Sequence, residues 1–349
     1  MRIFCYFVEP NSYTIDLIKN IYEKHNIDYC FIKSSSFFKS LTKLDTNFVD
    51  KFSLFNKIIL LYENYKKNDF IIINGYNNIP FIITFFLNFL SFKKIYIAIG
   101  SDTQNSIPKN LFKRFIKWVY LSIIFRNKYV LGFAGGNKLH KDLFRCYGMK
   151  EHNIFLMPMM VNNFKFFQPK KQFPDIFTFL YVGRLVKHKN VENLIQYFNK
   201  HFFDKKVILK IIGSGNEEEY LKEKYTSDKV LFLGEMLNNN IIDEYRKASC
   251  LVCPSIFEPW GLVINEALSS GLPVIASKNV GACYDLIQSQ NTGMIAFNMQ
   301  DFGKKMLELY HKNDLLINFS KNASDLMINY WNYDLYEKCL IEVIEKINK

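Results

Sequence analysis

The sequence offers little that would hold a metal or a disulfide framework. Its seven cysteines are an odd number and lie scattered, and only Cys250 and Cys253 form a C-x-x-C. No second pair and no nearby histidine accompany them, so they read as two small buried strand residues and not as a zinc or redox site. Unpaired thiols fit a reducing cytoplasm. No apolar run is long enough to span a bilayer. The most hydrophobic window, Ile79 to Phe92, holds 14 residues including Asn88, short of the ~20 a spanning helix needs. It reads as a buried or interfacial helix. Met1 to Val8 is apolar but too short for a signal peptide and runs into Glu9-Pro10. There is no repeat of fixed period and no low-complexity segment, because the richness in Phe, Ile, Asn and Lys runs the whole length.

One sign of charge is missing from a long stretch. Between Thr103 and Lys141 there is no Asp or Glu, against eight Lys/Arg. The net charge of +12 is correspondingly lopsided: residues 1–164 carry 22 Lys/Arg and 11 Asp/Glu, whereas the remainder carries 23 and 22. The first half is therefore the half that meets something anionic. After Ser106, Pro108 suits the first turn of a helix. Lys109, Lys113 and Lys117 then share one face, and Phe112, Phe115, Ile116, Val119 and Ile123 the other, with Trp118 at the boundary. Two readings follow. The segment is an interfacial helix on an anionic leaflet, or an amphipathic helix packed on its own sheet with a solvated basic face. Nucleic acid is a poorer partner: no recognisable nucleic-acid module is present, and the basic stretch lies beside apolar residues instead of interleaving stackable aromatics on a sheet.

At 349 residues the chain has room for two domains. In the first half, apolar segments at Arg2–Val8, Asp28–Ile32, Phe70–Asn74, Lys94–Ile99, Tyr129–Ala134 and Asn153–Met157 read as strands. Helical patterns at 12–25, 47–66, 79–91, 107–125 and 137–147 lie between them. Alternation of this kind implies a parallel sheet covered on both faces. Asn162 to Pro174, with two prolines and no period, is the linker. The second half repeats the grammar: strands at Thr178–Val182, Val207–Ile212, Val230–Leu233, Cys250–Val252 and Val274–Ala276, with helices at 191–198, 217–225, 241–247 and 263–269. After Gly293 the pattern turns helical to the end. The expected architecture is α/β: two Rossmann-like doubly wound domains facing across a cleft. The boundaries are 1–163, a linker at 164–176, 177–325, and a C-terminal helix at 326–349 crossing back to the first domain. In such sheets ligands bind beyond the carboxyl ends of the strands.

The densest chemistry lies in Pro254-Ser255-Ile256-Phe257-Glu258-Pro259-Trp260-Gly261-Leu262-Val263-Ile264-Asn265-Glu266. Glu258 and Glu266 stand eight positions apart around a Pro-Trp-Gly turn that opens a helix, and Gly271-Leu272-Pro273-Val274 leads out to a strand. Gly261 and the next amides, of Leu262 and Val263, can receive a phosphate at the helix start, where the dipole favours anions. The two carboxylates can accept hydrogen bonds from sugar or ribose hydroxyls. Upstream, Gly183 ends a strand and is followed by Arg184 and Lys189, a forked donor and a point charge suited to a diphosphate. The alternative there is a solvated basic loop. Gly213-Ser214-Gly215 is a second strand-then-glycine loop, a weak signal alone. A third strand ends in Gly234-Glu235-Met236, whose exposed backbone could pair with a nucleobase edge.

Taken in order, Gly183-Arg184…Lys189, Gly213-x-Gly215, Glu258-x7-Glu266 and Gly271-Leu272-Pro273-Val274 resemble the family-4 retaining glycosyltransferases of GT-B architecture, densely over about 178–297 and more thinly over the first half. The resemblance implies a nucleotide-sugar donor, UDP- or GDP-linked, held in the C-terminal domain by Gly183, Arg184, Lys189, Gly213, Gly215, Glu235, Met236, Glu258, Pro259, Gly261, Leu262, Val263 and Glu266. Arg184, Lys189 and Glu258 would be catalytic. The first two would assist departure of the diphosphate, Glu258 would bind donor-sugar hydroxyls and Glu266 the ribose. No metal or other cofactor would be required, and Trp331–Ile347 would fold back across the cleft. The family's usual glycine after Lys189 is Asn190 here, its glycine-rich loop after the first strand is replaced by Glu9-Pro10-Asn11-Ser12, and Gly281-Ala282 replaces a common Gly-Gly. On the acceptor side, Asp102 after Gly100-Ser101 is a candidate whose plain alternative is a turn acid or helix cap. Asn137, Lys138 and His140 are further candidates.

The resulting expectation is a cytoplasmic enzyme, peripheral on the inner membrane face if the 103–141 stretch is the interfacial helix of the two readings. It would move a hexose or related sugar to a glycan or lipid-linked acceptor in surface polysaccharide synthesis, such as capsule, lipopolysaccharide or O-antigen. A nucleotide-sugar epimerase or a sugar phosphorylase keeps the fold but changes the reaction. A basic nucleic-acid-binding protein, or a scaffold with a decayed site, changes the class.

Overall fold

The computed structural model describes residues 1–34, 48–105, 107–168, 173–236 and 239–349. Ser106, the first residue of the helix expected at 47–66 and residues 169–172 of the expected linker lie outside these. The chain divides into two compact units, Met1–Met159 with Tyr333–Lys349, and Met160–Asn332.

The first unit runs β1 (Ile3–Phe7), α1 (Ser12–Leu17), β2 (Asp28–Phe31), α2 (Leu54–Lys67), β3 (Phe70–Asn74), α3 (Ile79–Leu90), β4 (Tyr96–Ser101), α4 (Leu111–Phe125), β5 (Val130–Ala134), α5 (Leu139–Cys146) and β6 (Ile154–Leu156). Its strands form a parallel sheet in the order β2-β1-β3-β4-β5-β6. Central strands such as β3 are apolar up to their last residue, Asn74, because both their faces are covered. From β2 onward the chain advances in one direction across the sheet, so right-handed crossovers put α2, α3, α4 and α5 on one face. Their inward residues, among them Leu61, Phe81, Leu121 and Phe144, share one core with Ile71, Ile73, Ile97 and Ile99 of the strands.

The second unit opens with α6 (Asn163–Phe166) and continues as β7 (Phe177–Val182), α7 (Val191–Phe202), β8 (Val207–Ile212), α8 (Glu218–Tyr225), β9 (Val230–Gly234), α9 (Asn239–Lys247), β10 (Cys250–Cys253), α10 (Leu262–Ser269), β11 (Val274–Ser277), β12 (Gly293–Ala296), α11 (Met299–His311) and α12 (Asn313–Asn329). The sheet order is β12-β11-β10-β7-β8-β9, all parallel. From β7 the order runs one way through β8 and β9, and the other way from β10 to β12. The switch point therefore falls between β7 and β10, which is where an open α/β sheet presents a ligand crevice. Cys250 and Cys253 are buried, unpaired residues of β10. The last helix, α13 (Tyr333–Asn348), packs within the first unit: the Tyr336 and Tyr22 hydroxyls lie 2.9 Å apart, and Glu337 takes Lys24 and His25.

Four sequence expectations are corrected. Residues after Gly293 are not helical at once, because Gly293–Ala296 pair in register with β11. A four-residue strand is too short for its period to show. Residues 164–166 belong to α6 instead of a linker. Asn163 is buried there, its amide donating to the Met327 and Trp331 carbonyls (2.7 and 2.8 Å) while its oxygen accepts from Ser269 (3.1 Å). The C-terminal boundary falls after Asn332, because α12 runs through 325, and Trp331 stays in the second unit, stacked on Trp260 at 5.7 Å and 15°. Pro108 does not open α4: Asn110 is its cap, accepting from the Lys113 amide at 3.0 Å.

No helix among the described residues is long and apolar enough to cross a membrane.

Candidate functional site

The site assembles in the second unit at the carboxyl ends of β7, β8 and β10, around the switch point. Three loops are tied together there by their backbones. The loop after β7 is fixed to β8 and its loop by Gly183 N–H to Ile212 O (3.0 Å) and Leu185 N–H to Ser214 O (2.8 Å). It is fixed to the loop after β10 by Ile256 N–H to His188 O (2.8 Å). The buried Tyr181 props it from below, its hydroxyl donating to Arg184 O at 3.0 Å. Gly213 meets this loop so closely that a Cβ would stand 2.0 Å from Gly183 O, and its φ of 136° is one that side chains avoid.

Lys189 ends a short 3-10 turn, Lys187–Lys189. Asn190 follows at φ 64°, the left-handed conformation that the expected glycine would have met without strain. Asparagine is among the residues that tolerate it. The Asn190 side chain also donates to Pro254 O at 3.2 Å, which fixes the turn to the loop after β10. In consequence the Lys189 ammonium reaches the Glu258 carboxylate and forms an ion pair, with side-chain exposures of 14% and 17%. A pair this sheltered is screened less than a surface pair. Arg184 stands exposed on the same loop.

Glu258 is held by its backbone as well. Its N–H donates to Asn279 O at 3.2 Å, and its O accepts from Gly281 N–H at 3.1 Å, a short parallel bridge joining the loops after β10 and β11. Gly261 opens α10 at φ 97°, and a Cβ there would stand 3.0 Å from Val280 and 3.2 Å from Glu258 Cγ. Pro259, Leu262 and Val263 are half-buried around it. Trp260 is buried and anchors the turn: Nε1 donates to Asn265 Oδ1 at 2.7 Å, and Trp331 covers its ring.

Glu266 lies one turn into α10. The Tyr245 hydroxyl of α9 donates to Oε2 at 2.5 Å. The residue as a whole is half-buried, but its carboxyl is enclosed, and the lost solvation raises its pKa to about 7, against the Tyr245 bond that lowers it. The same burial pushes the Tyr245 hydroxyl up. On the other flank, the Ser214 hydroxyl donates to Glu235 at 3.2 Å and Gly213 N–H to Gly234 O at 2.8 Å, so Gly215, Glu235 and Met236 lie beside this loop system.

The structure thus gathers Gly183, Arg184, Lys189, Gly213, Gly215, Glu258, Gly261 and Glu266 onto adjoining loops and one helix start. Tyr245 and Trp331, which support these residues, carried no local signal, because packing brings them in from afar, whereas Asn265 lies within the Glu258-to-Glu266 stretch itself. In the first unit, Asp102 and Asn137 follow neighbouring strands β4 and β5, and Lys138 is the N-terminal boundary of α5. Gly135 N–H donates to Ser101 O at 3.0 Å, and Asp102 lies close enough to Tyr13 to help raise its pKa, second to burial. His140 is buried within α5. These candidates share the carboxyl edge of the first sheet.

Residues 162–326, which lie within the second unit, match the family described as glycosyl transferases group 1. An uncharacterized glycosyltransferase of Methanocaldococcus jannaschii is 34% identical over 119 residues, which is 33% of this chain and 30% of that protein. The sulfoquinovosyl transferase of Arabidopsis thaliana is 30% identical over 39% of this chain and 27% of its own length. The chain spans less than two thirds of these curated relatives. Among solved structures, Anabaena HepE in complex with UDP-glucose superposes with a TM-score of 0.75 at 15% identity, covering 99% of this chain and 100% of that one. WaaG, a glycosyltransferase involved in lipopolysaccharide biosynthesis, gives 0.68 at 13% identity over 99% of both. The two doubly wound domains are those of the GT-B glycosyltransferase fold.

Proposed function

We propose that this chain is a retaining glycosyltransferase of the family-4 type. It moves a hexose or related sugar from a nucleotide-diphosphate donor to a glycan or lipid-linked acceptor in surface polysaccharide synthesis. The observation that carries the reading is the Lys189–Glu258 pair set beside the Gly261 helix start and Glu266, at the switch point of a group 1 domain. On this reading the α10 amides at Leu262 and Val263 receive a phosphate. Arg184 and Lys189 neutralise the charge that develops on the departing diphosphate, which is where most of the rate is gained. Glu258, relieved of Lys189, accepts hydroxyls of the transferred sugar, and Glu266 those of the ribose. The bond from the anomeric carbon to the diphosphate oxygen breaks and the bond to the acceptor oxygen forms on the same face, with the acceptor's proton ending on the released diphosphate. The two cations supply the charge stabilisation, so the reading requires no metal. Asp102, Asn137 and Lys138 serve the acceptor, and the free cysteines suit a cytoplasmic location.

The test is a melting-temperature panel of UDP, GDP, ADP, CMP and dTDP with their common sugars. A ligand present at a hundred times its Kd adds about 2.7 kcal/mol to the native state, so one base should stand out. The UDP-glucose complex of HepE makes UDP-sugars the first choice. No shift with any nucleotide at millimolar concentration would remove the donor site. Hydrolysis or epimerisation of the donor without acceptor would replace transfer by another reaction at the same site.

A further inference from the structure

The first unit has a buried core, but the helices on one face of its sheet also leave many large apolar side chains exposed. On α4 the residues turned to the core are Leu121, Ile124 and Phe125. Phe112, Phe115, Ile116 and Ile123 point outward, Phe112 at 72% exposure. The face that could have packed on the sheet therefore stands in solvent. The same holds for its neighbours in the layer. On α3, Ile82, Phe86 and Phe89 recur at helical spacing and are exposed, Phe89 at 67%, and Phe92 follows fully exposed. On α2, Leu54, Phe55, Ile58 and Tyr62 form another outward stripe. Soluble surfaces seldom carry a contiguous apolar area of this extent without a partner.

The charges around it select the partner. Neither α3 nor α4 contains an acid, and α2 contains only Glu63. Lys66 and Lys67 end α2, and Lys109, Lys113 and Arg114 surround the start of α4, all exposed. Lys117 bends back to lie 5.7 Å over the Tyr147 ring. A groove of about 390 Å³ lined by Leu111, Phe115, Trp118, Tyr147 and Arg114 runs along α4. A second copy of the chain would bring like charges face to face, whereas an anionic bilayer satisfies both features: acyl chains take the Phe and Ile side chains, and headgroups take the Lys and Arg.

We propose that the outer surface of the α2–α3–α4 layer is a docking face for an anionic lipid bilayer, apolar side chains from three helices entering the interface together. The proposal stands apart from the transfer reading, because vesicle binding requires no donor or turnover. The experiment is co-sedimentation of the full chain with vesicles of phosphatidylcholine alone and with phosphatidylglycerol added, at about 0.15 M salt. Binding is expected to the anionic vesicles, accompanied by a blue shift of the exposed Trp118 that the Trp118→Phe variant lacks; Trp260 and Trp331 are already buried. Phe86→Ser with Phe89→Ser, Phe112→Ser with Phe115→Ser, and Lys109→Glu with Lys113→Glu should each weaken binding at least about tenfold without changing the melting temperature. No binding by the unaltered protein, or binding that all three double variants retain, overturns the proposal. So does a stable dimer in light scattering that the Phe variants dissolve, which would assign the face to self-association.

Discussion

Trp260 in the second unit is buried, stacks on Trp331 and gives its indole proton to Asn265. Trp118 in the first unit lies exposed on α4, with the ring of Phe115 stacked beside it at 6.5 Å. Both sheets have six parallel strands among the described residues, so the fold does not account for the contrast. In the second unit large side chains fix loop geometry: Trp260 holds the turn between the two acids, Tyr181 props the Arg184 loop and Tyr245 orients Glu266. In the first unit Phe81, Phe125 and Phe144 fill the core, but Phe112, Phe115 and Trp118 of α4 fix nothing inside the protein. The aromatic residues around the candidate site position loops, whereas those on the outer face of α4 are presented to solvent, and composition alone does not separate the two.

Substitution should separate them sharply. The largest loss of stability is expected at Trp260→Ala, about 3–5 kcal/mol from the lost burial and the void left under Trp331, measured by denaturant unfolding. A loss below about 1 kcal/mol would show that the turn does not depend on that ring. Lys189→Ala is expected to lower turnover roughly a hundred- to a thousandfold with the melting temperature within a few degrees, assayed on the donor found in the nucleotide panel. Near-normal turnover would dissociate the ion pair from the chemistry.

Glu266→Gln tests burial at the site through pH. The carboxyl rises from 4.5 to about 7 in the folded chain, so the native state prefers the protonated form. The stability this contributes is complete below about pH 4.5 and is lost as pH rises through 7, up to about 3 kcal/mol. Glutamine keeps an acceptor for Tyr245 and does not titrate. Its stability relative to the parent should therefore grow from pH 5 to 8 and then level, and parallel melting curves across that range would refute the raised pKa. The smallest effect is expected on the first unit's outer layer: Phe112→Ser alone should change unfolding free energy by less than about 0.5 kcal/mol. A large loss there would mean the side chain is covered in solution.

Much of the architecture was legible because parallel strands covered on both faces are continuous apolar runs. Phe70–Asn74 and Val207–Ile212 have the same bounds in sequence and structure. The candidate site was legible where its parts are local: Gly213 by its strand end, and Glu258 and Glu266 by their spacing around Pro-Trp-Gly. What escaped was set by distance. Tyr245 meets Glu266 only because α9 packs beside α10, and nothing near residue 245 announces it. Asn190 looked like a departure from glycine, although its left-handed backbone fills the same role. The apolar face of α4 was legible as amphipathic, but a periodicity does not state which side faces the sheet.

The stretch that matches the glycosyltransferase family ends at 326, six residues short of where the second unit ends, at Asn332. Those residues include Trp331 and the carbonyls of 327 and 331 that Asn163 clasps. The border drawn by shared ancestry and the border drawn by cohesion are different borders. An excised second unit cut at the first would lose the lid of its own central tryptophan, whereas one running from Met160 to Asn332 would keep it.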